Sequence, residues 1–190
     1  MRFPSLFAAA LLAGTGIATA APADYTLDPS HTSVVFVINH LGFSNVYGRF
    51  DEVAGTLRFD PEALAAASVT ATIKTGSLDT NHAKREEHLK SPDFFNAAAF
   101  PEMTFTSTGI EKTGDRTGKV TGTLTLLGVS KPVVLDVTFN KAGVSPITKK
   151  ETAGFSARGS LKRSDFGMTT FLPAIADRVD IMIETEAVKP

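Results

Sequence analysis

A chain of 190 residues with 19 Lys and Arg, 20 Asp and Glu, a formal net charge of −1 and no cysteine is long enough for one domain with a real core. It has no disulfide to hold that core and no Cys to carry a lipid anchor. The near-neutral balance excludes an electrostatic footprint for nucleic acid and, on composition, a polybasic patch for an anionic membrane surface.

The first residues read as an export signal. Arg2 supplies the positive start, Phe3 to Ile17 is apolar, and Ala18-Thr19-Ala20 is a small-x-small cleavage site. That run is shorter than the ~20 residues that cross a bilayer. Residues 1–20 are therefore set aside, and 21–190 are taken as the domain. The expected location is the periplasm, or outside the cell as a secreted protein, with no transmembrane segment in the mature chain.

From residue 33 onward the pattern has period two, the mark of strands with one buried face. Val34 to Ile38 is apolar on both faces, which predicts a covering element outside it. Val53, Gly55, Leu57 and Phe59 share one face. Val69, Ala71 and Ile73 follow, then Met103 and Phe105, and then Val120, Gly122, Leu124 and Leu126. Val133, Leu135, Val137 and Phe139 come next, then Phe155, Ala157 and Leu161, and last Val179, Ile181 and Ile183. Asp60-Pro61, Thr113-Gly114-Asp115 and Gly128 are turn signals between runs. About eight usable runs predict a mainly β, eight-stranded antiparallel barrel of the size that holds one small ligand. Gly122 and Gly159 on inward faces would leave room inside it.

One excursion, about 81–98, breaks the pattern. Asn81 reads as an N-cap before helix formers up to Lys90, and Ser91-Pro92 as a second cap with Pro at the first helical position. Phe94 and Phe95 follow side by side, either as a lid over one barrel end or as a plug in the core.

The chemistry on offer is thin. His82 and His88 fall on nearly opposite helix faces, and His31 and His40 on opposite sides of a strand, so no metal site is expected. Gly154-Phe155-Ser156-Ala157-Arg158 lacks the second Gly of a nucleophile elbow. Glu86 and Glu87 diverge, unlike a glycosidase pair. Arg163-Ser164-Asp165 reads as a structural clamp on the following turn. No catalytic residue and no cofactor are expected. Only His40, His88, Arg85 and Asp165 would be candidates for an enzyme.

Four stretches in order carry a resemblance to a known family. They are Leu27-Asp28-Pro29-Ser30-His31 through His40-Leu41-Gly42-Phe43-Ser44 to Gly48-Arg49-Phe50; Arg85 to Phe95 with Phe100-Pro101; Gly122 to Val133; and Lys162-Arg163-Ser164-Asp165-Phe166-Gly167-Met168. Together they cover nearly all of the mature chain, which resembles the YceI-like family of exported proteins. Glu86 stands where the family usually has Asp, and Leu127 where it often has His.

The resemblance implies a lipocalin-like eight-stranded barrel that binds a polyisoprenoid or similar long-chain lipid, such as a quinone or polyprenyl chain. The residues are compatible with this, since each buried CH₂ gains ~0.8 kcal/mol, or up to ~4 kcal/mol gross per five-carbon unit. The inward sets predict Phe36, Met103, Phe105, Leu124, Leu126, Leu135, Phe139 and Phe155 as lining. His40, Phe43, Phe94, Phe95, Phe166, Met168 and Phe171 are expected at the mouth.

The expected function is a periplasmic carrier or storage protein for such a lipid. The alternatives are a protein-interaction or stress-response module with a filled core, and, ranked last, an enzyme acting on the lipid. A homodimer is left open.

Overall fold

The computed structural model describes residues 22–190. The expected export signal lies outside them.

Eleven strand segments run antiparallel: β1 (Ala23–Leu27), β2 (Ser33–His40), β3 (Ser44–Phe50), β4 (Val53–Phe59), β5 (Ser68–Lys74), β6 (Leu78–Asp79), β7 (Glu102–Lys112), β8 (Thr117–Leu126), β9 (Val129–Val144), β10 (Glu151–Lys162) and β11 (Ile175–Val188), with one α-helix, α1 (Ala83–Lys90). The ring β1-β4-β5-β7-β8-β9-β10-β11 closes through a pairing of β11 with β1. This is the expected eight-stranded antiparallel barrel.

The remaining three segments are the bent ends of barrel strands. β11 pairs with β1 at Ala187 and Val188 and with β2 from Ile175 to Glu184. β1 and β2 are thus one strand, broken by a 3₁₀ turn at Pro29–His31. β3 and β4 continue each other in the same way around Asp51 and Glu52, as do β5 and β6 around a 3₁₀ turn at Thr75–Ser77. At these kinks one strand serves two stretches of the sheet, so closure is kept and no long edge is exposed.

The inward faces follow the alternation. Val53, Leu57 and Phe59 are buried, as are Val120, Leu124 and Leu126, while Thr56, Arg58 and Thr70 face solvent. Val35 and Val37 are half-buried without a covering element among the described residues. They lie between the cross-strand partners Arg49 and Tyr47 on one side and Met182 and Asp180 on the other. The predicted outer cover is therefore corrected to shielding by neighbouring side chains.

β7 pairs with β5 only as far as Lys74–Glu102, and β6 pairs with β3 alone. The chain between β6 and β7 forms the helical excursion at this opening. Thr75, fully buried, ties its return: its amide donates to the Pro101 carbonyl (3.0 Å) and its hydroxyl to that of Phe100 (2.7 Å).

The helix begins one residue later than predicted. Asn81 has φ +58° and turns the chain, and the His82 Nδ1 accepts the Arg85 amide as the cap. Ser91-Pro92 does not start a second helix. The 91–100 stretch is a series of turns in which the Phe95 amide returns to Leu89 and those of Phe94 and Asn96 to Ser91.

Candidate functional site

Inside the barrel is a cavity of about 780 Å³, within the range of small-molecule sites. It runs from the α1 end, with His40, Arg85, His88 and Phe171, to the opposite end, with Pro61, Leu64 and the β7–β8 turn. Its wall is almost wholly aliphatic and aromatic. Midway, the hydroxyls of Thr32 and Thr185 pair with each other at 2.7 Å, leaving neither unsatisfied. Among the described residues no buried side-chain N or O lacks a partner.

Thirteen of the fifteen predicted site residues line this cavity: Phe36, His40, Phe94, Phe95, Met103, Phe105, Leu124, Leu126, Leu135, Phe139, Phe155, Met168 and Phe171. Two do not. Phe43 is 89% exposed on the β2–β3 hairpin, because Leu41 (φ +57°) and Gly42 (φ +76°) turn the chain and end the alternation before it. Phe166 is buried in a 3₁₀ turn (Arg163–Phe166) and packs into the core cluster behind the wall without lining the cavity. Both expectations are corrected on those grounds. The prediction also missed much of the wall, including Val34, Phe50, Phe59, Ile73, Val133, Ile181 and Ile183. Most of these stand in the same period-two runs, where the signal was already present.

The inward glycines do not leave room. A Cβ on Gly122 would lie 2.2 Å from the Phe105 ring, and one on Gly48 2.1 Å from that of Phe36. Gly159 likewise receives Leu135. Each lets a side chain of the neighbouring strand close onto its backbone, so the lumen keeps its width despite large side chains.

The Phe pair of the excursion does both jobs considered for it. Phe95 meets Phe50 edge-on at 5.5 Å, and Phe50 meets Phe36 at 5.8 Å, which plugs the gap between β6 and β7. Phe94 packs with His88 (5.1 Å) and Phe171 (6.2 Å) over the α1 end of the cavity. At the opposite end Phe59, Phe139 and Phe155 form a three-ring cluster with centroids 5.1–5.5 Å apart.

Polar groups near the cavity are engaged in holding the fold. The Glu86 carboxylate accepts from the His82 amide (2.9 Å) and from the Thr80 amide (2.8 Å) and hydroxyl. Those bonds, the His82 amide first, hold Glu86 below the usual carboxylate range. Arg85 donates to the Thr80 carbonyl (2.6 Å) and hydroxyl (3.0 Å). Arg163, buried, donates to the carbonyls of Met168, Ile175 and Ala176, and Asp177 accepts from both the amide and the hydroxyl of Ser164. This is the structural clamp read from Arg163-Ser164-Asp165. Asp165 itself is exposed. Among the described residues no three His, Asp or Glu converge as metal ligands, and no helix is long and apolar enough to cross a membrane.

With this geometry in hand, the comparisons are specific. The family model described as the YceI-like domain matches residues 25–187. The Protein YceI of Salmonella arizonae is 44% identical over 181 residues, 95% of this chain and 94% of its own. The crystal structure of Burkholderia cenocepacia BcnA superposes with a TM-score of 0.77 at 27% identity, covering 84% of this chain and 98% of that one. A polyisoprenoid binding domain from Saccharophagus degradans, implicated in plant cell wall breakdown, shares the fold at a TM-score of 0.66 and 16% identity, covering 87% and 98%. The chain belongs to the YceI-like family.

Proposed function

We propose that this protein binds one long-chain apolar lipid of the polyisoprenoid class in its barrel and carries or stores it outside the cytoplasm, without chemistry on it. The observation that carries this reading is the apolar cavity running between the two barrel ends, with every stave contributing inward side chains to its wall. A chain-like ligand suits that shape, since its burial scales with length and needs no convergent polar group. The Saccharophagus degradans domain, described as polyisoprenoid binding, has the same fold and supports the ligand class. The cavity weighs against the filled-core interaction module. Arg85 and His88, two candidates for chemistry, stand at the cavity end beside Phe94 and Phe171. They are read as rim groups near the ligand's polar head.

The test is loading. Protein stripped of lipid in detergent is titrated with a polyprenol carrying a fluorescent head group. Saturable uptake of one molecule per chain is expected. An absence of saturable uptake, with the barrel intact by circular dichroism, overturns the reading.

A further inference from the structure

The β9–β10 hairpin stands out from the rest of the barrel. β9 pairs with β8 only as far as Thr138, and beyond Phe139 it pairs with β10 alone. On that side the arm outruns β8, while β10 stays paired with β11 as far as Thr152 and Val188, so the part clear of both neighbours is the tip beyond Val144. At its tip Ile147 is 88% exposed and Val144 63%. Lys141, Lys149 and Lys150 flank these two residues, and no acid occurs from Phe139 to Lys150. The next acid, Glu151, is already paired with Lys189 at 2.9 Å. Near-neutral composition had hidden this local excess of cations.

The base of the arm belongs to the cavity. Phe139 lines it, and its amide donates to the Arg116 carbonyl (2.8 Å) while the Arg116 Nε donates back to the Phe139 carbonyl (2.9 Å). Arg116 is itself a lining residue, in the β7–β8 turn at the same end.

We propose that this hairpin docks the protein on an anionic phospholipid surface, with Ile147 and Val144 entering the interface and the three lysines meeting the head groups. An exposed apolar tip framed by unopposed cations is complementary to such an interface. The α1 end also exposes apolar side chains, Leu41, Phe43 and Phe171, but there the exposed acids Glu87, Asp93 and Asp165 are mixed with the exposed Lys84, Lys131 and Lys162. The hairpin end has the exposed acids Glu62, Glu111 and Asp115 near the barrel rim, so what selects the hairpin is its tip, where cations stand without acids from Phe139 to Lys150. The inference rests on the lipid-carrier reading for its purpose, since docking there would set the Phe139 end of the cavity against the membrane.

The experiment is vesicle flotation of the purified protein, with phosphatidylglycerol-containing vesicles compared with phosphatidylcholine alone. Binding to the anionic vesicles, weakened by salt, is expected. Each Lys→Ser change should lower the partition about five-fold and the triple K141S/K149S/K150S variant about 100-fold. Ile147→Ser should lower it as well, whereas Phe43→Ser should leave it unchanged. All of these sites are exposed, and polyprenol loading in detergent should be unaltered in every variant. That assay, which needs no vesicle, separates a failed docking proposal from a failed lipid-carrier reading. Three results would overturn the proposal: no preference for anionic vesicles, equal binding by the triple variant, or loss through Phe43→Ser alone. So would a hairpin-mediated dimer or a stable protein complex that forms in place of vesicle binding.

Discussion

The Phe105 ring packs against Gly122, its diagonal neighbour across the β7–β8 pair, so closely that a Cβ on the glycine would sit 2.2 Å from Cζ and 2.7 Å from the Thr106 carbonyl oxygen. The pair keeps an aromatic wall thin enough for a cavity to remain beside it. Gly122→Ala should therefore destabilise the barrel by about 1–3 kcal/mol through overpacking. Combined with Phe105→Ala, which opens the space, the two losses should fall short of additive by about 1 kcal/mol. Urea unfolding of the double-mutant cycle checks this, and additive losses would mean that the ring and the glycine are not coupled.

Arg163 should be costly to remove. Its guanidinium serves three carbonyls across the β10–β11 connection, and burial pulls its pKa down without discharging it. Arg163→Met orphans those carbonyls, each at about 1–3 kcal/mol if it stays dry. A loss of about 3 kcal/mol or more is expected in chemical denaturation, against less than 1 kcal/mol for the exposed Arg178→Met.

The 3₁₀ turn that breaks the first barrel strand should be pH-sensitive. His31 Nδ1 lies 2.8 Å from an Asp28 carboxylate oxygen. That bond first, and the Ser30 hydroxyl and amide after it, lower Asp28 from 3.8 to about 2. The same Asp28 bond raises His31 above 6.5. Asp28 thus contributes stability that is present above its unfolded value near 3.8 and is lost as pH falls toward 2. His31 contributes stability that is complete below 6.5 and is lost as pH rises through its raised value. The stability advantage of wild type over His31→Ala should peak between these limits and shrink on both sides. A difference that is flat with pH would show that the pair is not linked to folding.

Filling the lumen should remove uptake without unfolding the barrel. Ala71 lines the cavity and is only half-buried. Ala71→Phe should lower polyprenol loading by about ten-fold or more while the midpoint of unfolding moves by less than about 2 kcal/mol equivalent. Unchanged loading would place the ligand elsewhere.

Much of this was legible in the sequence, for a physical reason. In a barrel every stave has one wet and one dry face, so runs such as Val120, Gly122, Leu124 and Leu126 against Thr121, Thr123 and Thr125 announce the strand and its inward face, though a filled core and an open lumen give the same alternation. The signal fails where the period breaks. Leu41 and Gly42 at positive φ carried Phe43 out to solvent, and the turn at Arg163–Phe166 carried Phe166 into the core. The three bent staves were invisible because their kinks, such as Pro29–His31, depend on pairing with distant strands. The role of Gly122 was misread because alternation places a residue on a face without saying which neighbour covers it. The basic arm at Lys141, Lys149 and Lys150 emerges only once β9 is seen to outrun β8.

Native mass spectrometry of the protein as purified, followed by organic extraction of whatever it carries, tests the central claim most directly. The account predicts one chain-like apolar lipid per polypeptide, displaced in the Ala71→Phe variant. A protein that is empty however gently it is prepared, and that takes up no polyprenol afterwards, would contradict it.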